Sequence, residues 1–256
     1  MSSPASSKDP SSVREGRLVL GLQPVREALR VHGGSVRRLL VQTGEHPRLD
    51  ALERFAKDQG VSAERVPKGR LDKIAEGGMH QGVLAWAPEL RLTPFEDLLK
   101  VEHLLAIALD GIQDPQNFGA VVRSAVALGN VPIIWGEHAS APLTPATFRA
   151  SAGAVEHATL CRVRSLHGAL GEATAQGVQV IGLDAQAPQA LYQLPLVEPT
   201  ILVVGNEHEG MKRAVRRACS ALARLVAAGP VDSLNASVAA GTALYEALVQ
   251  RAKTNT

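Results

Sequence analysis

The chain has 256 residues, of which 45% are hydrophobic and 20% are charged, and its formal net charge at pH 7 is +2. This length accommodates two domains of ordinary size, and the composition excludes a mostly disordered chain. The small net charge does not by itself indicate a nucleic-acid partner, because RNA binding depends on local positive clusters rather than on the total.

No stretch approaches the ~20 apolar residues that cross a bilayer, and the polar start MSSPASSKDPSSVREG lacks the apolar centre of a secretory signal. We therefore expect a cytoplasmic protein with no membrane partner, and a flexible tail over residues 1–16. The cysteines Cys161 and Cys219 stand far apart, and no CxxC or HExxH spacing occurs. Neither a disulfide nor a metal site is expected.

Residues 17–88 alternate between helical and strand-like patterns, which predicts a small α/β domain. Helices are predicted at 24–31, 48–59 and 71–76, and strands at 36–42, 61–66 and 82–87. Residues 17–90 contain 12 Lys and Arg against 9 Asp and Glu, an excess of +3, with Arg30, Arg37 and Arg38 close in sequence. This cluster indicates a modest RNA-binding patch, although an ordinary solvated surface explains it equally well.

Residues 89–100 contain a proline between polar residues and are predicted to be a linker to a second domain over 101–256. Apolar runs in that domain predict strands at 104–109, 131–135, 178–183 and 201–204, and helices are predicted at 120–128 and 166–175. Uninterrupted apolar strands are buried on both faces, which indicates a mainly parallel sheet between helices. The predicted fold class is α/β.

Ligands of open parallel sheets bind beyond the carboxyl ends of the strands, so the loops that follow the predicted strands are candidate sites. The first is DGIQDPQNFG at 110–119, where Asn117 can cap the next helix and leave amides for an anion or a sugar hydroxyl. Arg123 follows one turn into that helix. A capped turn with an exposed arginine is the alternative interpretation.

The second candidate loop is GNEHEG at 205–210, whose glycines permit close approach of a ligand and whose Glu207 can contact a hydroxyl or an amine. His208 has no second catalytic group beside it in the sequence, which favours a solvated histidine. Four basic residues follow at helical spacing and form either a phosphate-binding or a solvated face. They are Lys212, Arg213, Arg216 and Arg217.

The third candidate segment is VDSLNAS at 231–237, and the predicted helix at 238–251 that follows it begins with small residues. Small residues allow close packing against another element or subunit, and a simple core helix is the alternative. No GxGxxG follows a strand and no GxxxxGK[ST] occurs, so the phosphate cradles of dinucleotide and nucleoside-triphosphate sites are missing.

These three segments, in this order and at these intervals, resemble the signature motifs of the SpoU (TrmH-type) branch of the SPOUT methyltransferases. The motifs lie at 110–129, 201–210 and 233–246. Residues 17–88, with GLQPVREAL at 21–29, are similar to the RNA-binding domain that precedes the catalytic domain in bacterial 23S rRNA guanosine 2'-O-methyltransferases. The resemblance therefore covers both predicted domains.

The resemblance implies an enzyme that moves a methyl group from S-adenosylmethionine to the ribose 2'-hydroxyl of a guanosine in large-subunit (23S) ribosomal RNA. It also implies a trefoil knot in the catalytic domain, although true knots are essentially absent from protein folds in general. A homodimer is implied as well, with the active site formed where two catalytic domains meet.

The resemblance assigns roles to individual residues. The catalytic set is Asn117, Arg123, Glu207, Ser233 and Asn235, and the backbone at Gly205, Leu225 and Leu234 surrounds S-adenosylmethionine. Arg123 is the principal residue, and because a guanidinium with a pKa above ~12 stays protonated, we expect it to hold a phosphate and stabilise the forming alkoxide. Residues 225–227 read Leu-Val-Ala where relatives usually read Ile-Pro-Met.

Three alternatives stay open at this point. The substrate could be transfer RNA, or a ribosomal site whose methylation confers antibiotic resistance. The chain could also be a non-catalytic RNA-binding factor of ribosome assembly, which the presence of Asn117, Arg123, Glu207 and Asn235 disfavours.

Overall fold

The computed structural model describes residues 16–137, 143–230 and 234–254. The chain divides into two compact units, the first ending at Leu90 and the second beginning at Arg91. Of the predicted tail, residues 1–15 lie outside the described part of the chain. No helix within the described ranges combines the length and the apolar character that a membrane crossing requires.

The first unit contains a four-stranded sheet. Its elements are β1 (Arg17–Leu20), α1 (Leu22–His32), β2 (Arg38–Gln42), α2 (Pro47–Asp58), β3 (Ala63–Val66), α3 (Lys68–Ala75) and β4 (Val83–Ala87). The strand order is β1-β4-β2-β3, in which β4 is antiparallel to β1 and β2 while β2 and β3 are parallel. The small α/β unit is thus a mixed sheet, and β1 is a strand that the sequence pattern did not indicate.

Strand β4 shows why this sheet has a core on each face. Val83 and Ala85 are buried in a cluster with residues of α1 and α2, whereas Leu84 and Trp86 are buried in a cluster with residues of α3. Successive side chains of a strand point to opposite faces, so a strand buried throughout contributes to both clusters.

The second unit contains six strands and six helices within the described ranges. Its strands are β5 (Leu105–Asp110), β6 (Ile133–Gly136), β7 (Leu160–Val163), β8 (Gln179–Leu183), β9 (Thr200–Gly205) and β10 (Ala221–Ala223). Its helices are α4 (Phe95–Leu98), α5 (Pro115–Ala127), α6 (Pro145–Ala150), α7 (Leu166–Ala175), α8 (Arg213–Ala218) and α9 (Ala236–Thr254). The strand order is β10-β8-β9-β5-β6-β7 and all five neighbouring pairs are parallel.

The parallel sheet is covered on both faces, and this confirms the predicted α/β class. Residues of α4, α7 and α8 are buried in one cluster with side chains from β5, β8 and β9. Helix α5 contacts both α6 and α9. At Gly119 of α5, a Cβ atom would lie 2.4 Å from the Cβ of Ala150, so glycine allows the close approach of α6. The trefoil knot that the resemblance implies stays a prediction.

Two details differ from the sequence interpretation. The segment 89–100, interpreted as a linker, contains α4, whose Phe95 and Leu98 are buried in the core of the second unit. Helix α5 begins at Pro115, and its N-cap is Asp114, whose side chain accepts a hydrogen bond from the Gln116 amide at 3.0 Å. Asn117 was expected to cap this helix, but it lies in the first turn, which frees its side chain for other contacts.

Candidate active site

The carboxyl ends of β5 and β9 meet at one edge of the sheet, where Asp110 is the register partner of Gly205. Asp110 is only 4% exposed, and its Oδ2 accepts a hydrogen bond from the backbone amide of Lys212 at 2.6 Å. A buried carboxylate needs such partners, so this contact anchors the end of the loop that follows β9.

The loop after β9 folds back on itself through Asn206 and Gly210. Their backbones exchange two hydrogen bonds, with N–O distances of 3.0 and 2.8 Å. The Asn206 side chain accepts from the His208 amide at 2.9 Å and donates to the carbonyl of Gly111 at 2.9 Å. The loop is therefore tied to the loop that follows β5, which limits the positions that Glu207 can adopt.

Asn117, Glu207 and Asn235 form one hydrogen-bonded group, called here the amide–carboxylate cluster. Oε1 of Glu207 accepts from the side-chain amides of Asn117 at 2.5 Å and Asn235 at 2.9 Å. The Asn235 amide also donates to Oδ1 of Asn117 at 3.0 Å. Three of the residues that the sequence analysis singled out are thus brought together from three separate segments.

Asn235 is oriented by a second set of contacts at the start of α9. Its Oδ1 accepts from the amide of Ser237 at 3.0 Å and from the Ser237 hydroxyl at 2.6 Å. A side-chain amide carries an acceptor at one end and donors at the other. Capping the helix with the oxygen therefore directs the NH₂ group toward Glu207 and Asn117.

The cluster leaves one carboxylate oxygen of Glu207 available. Within the described ranges, both of its hydrogen bonds go to Oε1. Oε2 keeps its acceptor capacity, so an incoming hydroxyl group can donate to it.

Arg123 and Ser233 are not part of this cluster. Arg123 is exposed and lies six residues beyond Asn117 on α5, which is about 9 Å along the helix and ~120° around it. Among the residues that the structure describes, its guanidinium has no hydrogen-bond or ion-pair partner. Within one copy of the chain Arg123 therefore forms no hydrogen bond with the cluster, and Ser233 lies outside the described residues.

A cavity of about 420 Å³, called here the large cavity, opens beside Glu207 at the ends of β8 and β9. Gly205, Leu225 and Leu234, the three residues predicted to surround a methyl donor, all line it. Small-molecule sites commonly measure ~300–1,000 Å³. The cavity has the size of such a site.

The wall of the large cavity suits S-adenosylmethionine chemically. Leucine and valine side chains offer an apolar surface for a base, while Glu207 and Glu209 offer carboxylates for a positively charged sulfonium. At Gly205, a Cβ atom would lie 2.3 Å from the carbonyl carbon of Gly210. Only glycine therefore allows the loop after β9 to pack this closely against the end of the strand. Val226, in the triplet that departs from the Ile-Pro-Met pattern, is 66% exposed.

Two buried or partly buried carboxylates of this region received no role in the sequence interpretation. Asp110 ends β5, and Asp184 follows β8, lines the large cavity and forms an ion pair with Arg216. The position at the end of an apolar strand, which identified the loop that begins with Asp110, also applies to Asp184. The ion pair also engages Arg216, one of the four basic residues considered for phosphate binding.

The basic cluster predicted in the first unit is partly neutralised. Arg30 pairs with Glu27 at 3.1 Å, and Arg38 pairs with Glu64 at 3.1 Å while lying 5.4 Å from the ring centre of Trp86. Exposed ion pairs are weak, so these side chains remain able to exchange a carboxylate for a phosphate. In the described ranges, no three His, Cys, Asp or Glu side chains are grouped as metal ligands would be.

Two family models match the chain. Residues 104–245 match the SpoU rRNA Methylase family, and residues 18–93 match the family described as RNA 2'-O ribose methyltransferase substrate binding. Together these matches extend over both compact units.

Similar proteins agree with these matches. An uncharacterized tRNA/rRNA methyltransferase of Mycolicibacterium vanbaalenii is 39% identical over 91% of this chain and 76% of its own length. The SpoU methyltransferase AviRb from Streptomyces viridochromogenes, solved with AdoMet, has a TM-score of 0.73 and 27% identity, covering 92% of this chain and 90% of its own.

An AdoMet-bound rRNA methyltransferase from Sinorhizobium meliloti has a TM-score of 0.72 and 27% identity, covering 90% of this chain and 85% of its own. The order of the motifs, the parallel sheet and these matches lead to one conclusion. The chain belongs to the SpoU family of RNA 2'-O-ribose methyltransferases, which use S-adenosylmethionine as methyl donor.

Proposed function

We propose that this protein methylates the ribose 2'-hydroxyl of a guanosine in 23S ribosomal RNA, in the cytoplasm, with S-adenosylmethionine bound in the large cavity. The observation that carries the proposal is the position of the amide–carboxylate cluster, whose Glu207 also lines that cavity. A hydroxyl held by Glu207 would lie beside a donor bound there.

Ribosomal RNA is favoured over transfer RNA by the extent of the structural similarity. The neighbour described as an rRNA methyltransferase covers 90% of this chain, both units included. The TrmH/SpoU tRNA modifying enzyme of A. aeolicus covers 63% of this chain, with a TM-score of 0.53. This difference in coverage supports the ribosomal substrate.

When bound, S-adenosylmethionine would supply a methyl group to the ribose oxygen by direct displacement, leaving as its neutral thioether while the hydroxyl proton is released. The part of the protein is to bind and align, which is worth roughly 7–11 kcal/mol at best. We assign the donor-binding backbone to Gly205, Leu225 and Leu234, which line one cavity. Oε2 of Glu207 would accept the hydrogen bond of the 2'-hydroxyl while Asn117 and Asn235 hold Oε1 in place. The resemblance adds Ser233 to this set.

Arg123 would stabilise the phosphate next to the reacting ribose and the developing alkoxide. Because Arg123 forms no hydrogen bond with the cluster of its own chain, we propose that the active site is completed in a homodimer. Helix α9 exposes Val238 (51%) and Tyr245 (61%), which are seven residues apart and share one helix face. This helix contacts α5, which carries Arg123. An exposed apolar face on a helix that contacts α5 supports a second copy as its partner.

The proposed reaction is tested by incubating the protein with labelled S-adenosylmethionine and unmodified large-subunit RNA, then mapping the label. We expect a 2'-O-methyl group on one guanosine. Label in transfer RNA but not in ribosomal RNA would establish the alternative substrate. Absence of label together with absence of donor binding in calorimetry would indicate a non-catalytic RNA-binding factor.

The shared site is tested with two inactive variants. Arg123→Ala should abolish methylation and leave donor binding nearly intact, since Arg123 does not line the large cavity. When Arg123→Ala and Glu207→Ala are co-expressed, a mixed dimer would contain one intact site, and about a quarter of wild-type activity should return. No recovery in a purified mixed dimer would contradict the shared site.

A further inference from the structure

We propose that a second cavity, of about 210 Å³ and called here the small cavity, binds a phosphate of the RNA strand next to the methylated nucleotide. This inference rests on the proposed function, because it assigns a subsite for its substrate. The small cavity lies at the carboxyl ends of β5, β6 and β7, beside the first turn of α7 and the start of α8. Its charged and polar lining includes Arg164, His167, Lys212, Ser165 and Asp110.

The small cavity carries positive charge that the protein itself does not neutralise. Arg164 and Lys212 are exposed, and within the described ranges neither side chain has a hydrogen-bond or ion-pair partner. Asp110 contributes a carboxylate to the wall, but it is 4% exposed and its Oδ2 accepts the Lys212 amide at 2.6 Å. The guanidinium and the ammonium group therefore remain available for an anion.

The start of α7 adds to this positive potential. The helix Leu166–Ala175 has ten residues, and its N-cap Ser165 accepts a hydrogen bond from the amide of Gly168 at 3.3 Å. The amides of the first turn have no acceptor within a helix, and the helix dipole places partial positive charge there. Leu166 and His167, in that turn, line the small cavity.

The size of the small cavity argues for a phosphate rather than a whole nucleotide. Its 210 Å³ lies below the ~300 Å³ at which sites for complete small molecules usually begin. A phosphate group held by an arginine fork and a lysine needs little space, and the attached sugars can remain outside.

The small cavity also lies close to the amide–carboxylate cluster. Gly111 forms part of its wall, and the carbonyl of Gly111 accepts a hydrogen bond from the Asn206 side chain at 2.9 Å. Asn206 directly precedes Glu207. A strand whose target ribose lies at Glu207 would therefore pass its neighbouring backbone over the small cavity.

The test compares two adjacent residues of one segment. Lys212→Ala removes an ammonium group from the small cavity and keeps the backbone amide that Asp110 accepts, whereas Arg213→Ala removes a charge that lines neither cavity. RNA affinity is measured against salt concentration for both variants, for Arg164→Ala and for the wild type. Methylation kinetics and calorimetric binding of S-adenosylmethionine are measured alongside.

The slope of log affinity against log salt is negative, and we expect Lys212→Ala and Arg164→Ala each to reduce its magnitude by about 0.7–1. KM for RNA should rise about tenfold, with kcat and donor binding unchanged. Arg213→Ala should keep the wild-type values, apart from a small effect of total charge. Equal slopes and KM values for Lys212→Ala, Arg164→Ala and Arg213→Ala would overturn the subsite.

Two further outcomes are separated by the same measurements. If inorganic phosphate binds the wild type but not Lys212→Ala, while the salt slope for RNA is equal in both, the small cavity holds a free anion and the RNA subsite is wrong. If the wild type binds RNA and the donor but transfers no methyl group, the proposed function fails, and the salt slopes still decide whether a phosphate is bound there.

Discussion

The side-chain amide of Asn235 donates a hydrogen bond to Oε1 of Glu207 at 2.9 Å, across 28 residues of chain. The same side chain caps α9 with its oxygen, which accepts from the amide of Ser237 at 3.0 Å. Asn235 thus both stabilises the start of α9 and positions the Glu207 carboxylate, and different substitutions of Asn235 can remove these two effects separately.

Asn235→Ala and Asn235→Asp should both lose methylation activity, but only the alanine variant should be clearly less stable. Alanine removes the cap, which we expect to lower the free energy of unfolding by about 1–2 kcal/mol. Aspartate keeps the capping oxygen but places a second carboxylate against Glu207, so it should fold nearly as stably and lose methylation about tenfold or more. Urea unfolding and single-turnover methylation measure the two effects. An active, stable Asp variant would show that the bond to Glu207 is dispensable.

Gly205→Ala should weaken donor binding because its Cβ would lie 2.3 Å from the backbone nitrogen of Met211. The loop after β9 must move to relieve this contact, and the wall of the large cavity moves with it. We expect affinity for S-adenosylmethionine, measured by calorimetry, to fall about tenfold or more.

The control is Gly171→Ala on α7, where a Cβ meets nothing within 4 Å. It should bind the donor normally and gain up to ~1 kcal/mol in stability. Equal donor binding by both variants would contradict the role of Gly205.

Arg251→Met should destabilise the second unit. The guanidinium of Arg251 donates to the carbonyls of His103, Leu104, Leu196 and Glu198, at 2.6, 2.9, 2.9 and 2.8 Å. Burial lowers the pKa of this group from its ordinary value. Within the described ranges, removing the donors leaves the carbonyls of His103 and Leu196 without partners, whereas Thr200 still donates to those of Leu104 and Glu198. We therefore expect a loss of about 2–4 kcal/mol in urea unfolding. Arg251→Lys should recover little, because an ammonium group cannot span four acceptors. Full stability of the Met variant would refute this reasoning.

Both cysteines should resist alkylation in the folded protein. Burial raises the pKa of the Cys161 thiol from 9.0 to about 12 and that of Cys219 from 9.0 to about 11. The thiolate is the reactive form, so iodoacetamide at pH 8 should label both residues in urea and neither in buffer. Because these pKa values are raised on folding, their contribution to stability is complete below pH 9 and is lost as the pH rises toward 11–12. Rapid labelling of Cys161 in buffer, with Cys161→Ala as the assignment control, would disprove its burial.

The long elements were predictable because each carries its own periodic signal. Helix α7 occupies Leu166–Ala175, the predicted range, since Ser165 caps its start and its apolar positions recur on one face. The short strands β7 and β10 were missed, because four and three residues of mixed character give no such signal. Helix α4 was interpreted as linker because Pro94 and polar residues surround it, although tertiary packing buries Phe95.

The residues of the candidate site were identified more reliably than their contacts. The motif positions of Asn117, Glu207 and Asn235 were assigned from the sequence, yet Asn117 was assigned a capping contact that Asp114 makes. Asp110 opens the first candidate loop but received no role, and Asp184 was not considered, although it directly follows an apolar strand. Their partners, Lys212 and Arg216, are distant in sequence.

Apolar periodicity and three ordered motifs were sufficient to determine the α/β class, the two-part organisation and the SpoU family from the amino-acid sequence. Only the tertiary structure decided that β9 lies beside β5, which brings Glu207 to Asn117 over 90 residues of chain and leaves Arg123 outside that contact. Local patterns specify which segments become strands, because each segment buries its own apolar face. The order of strands in a sheet depends on how all the segments pack together, and that information is not contained in any one of them.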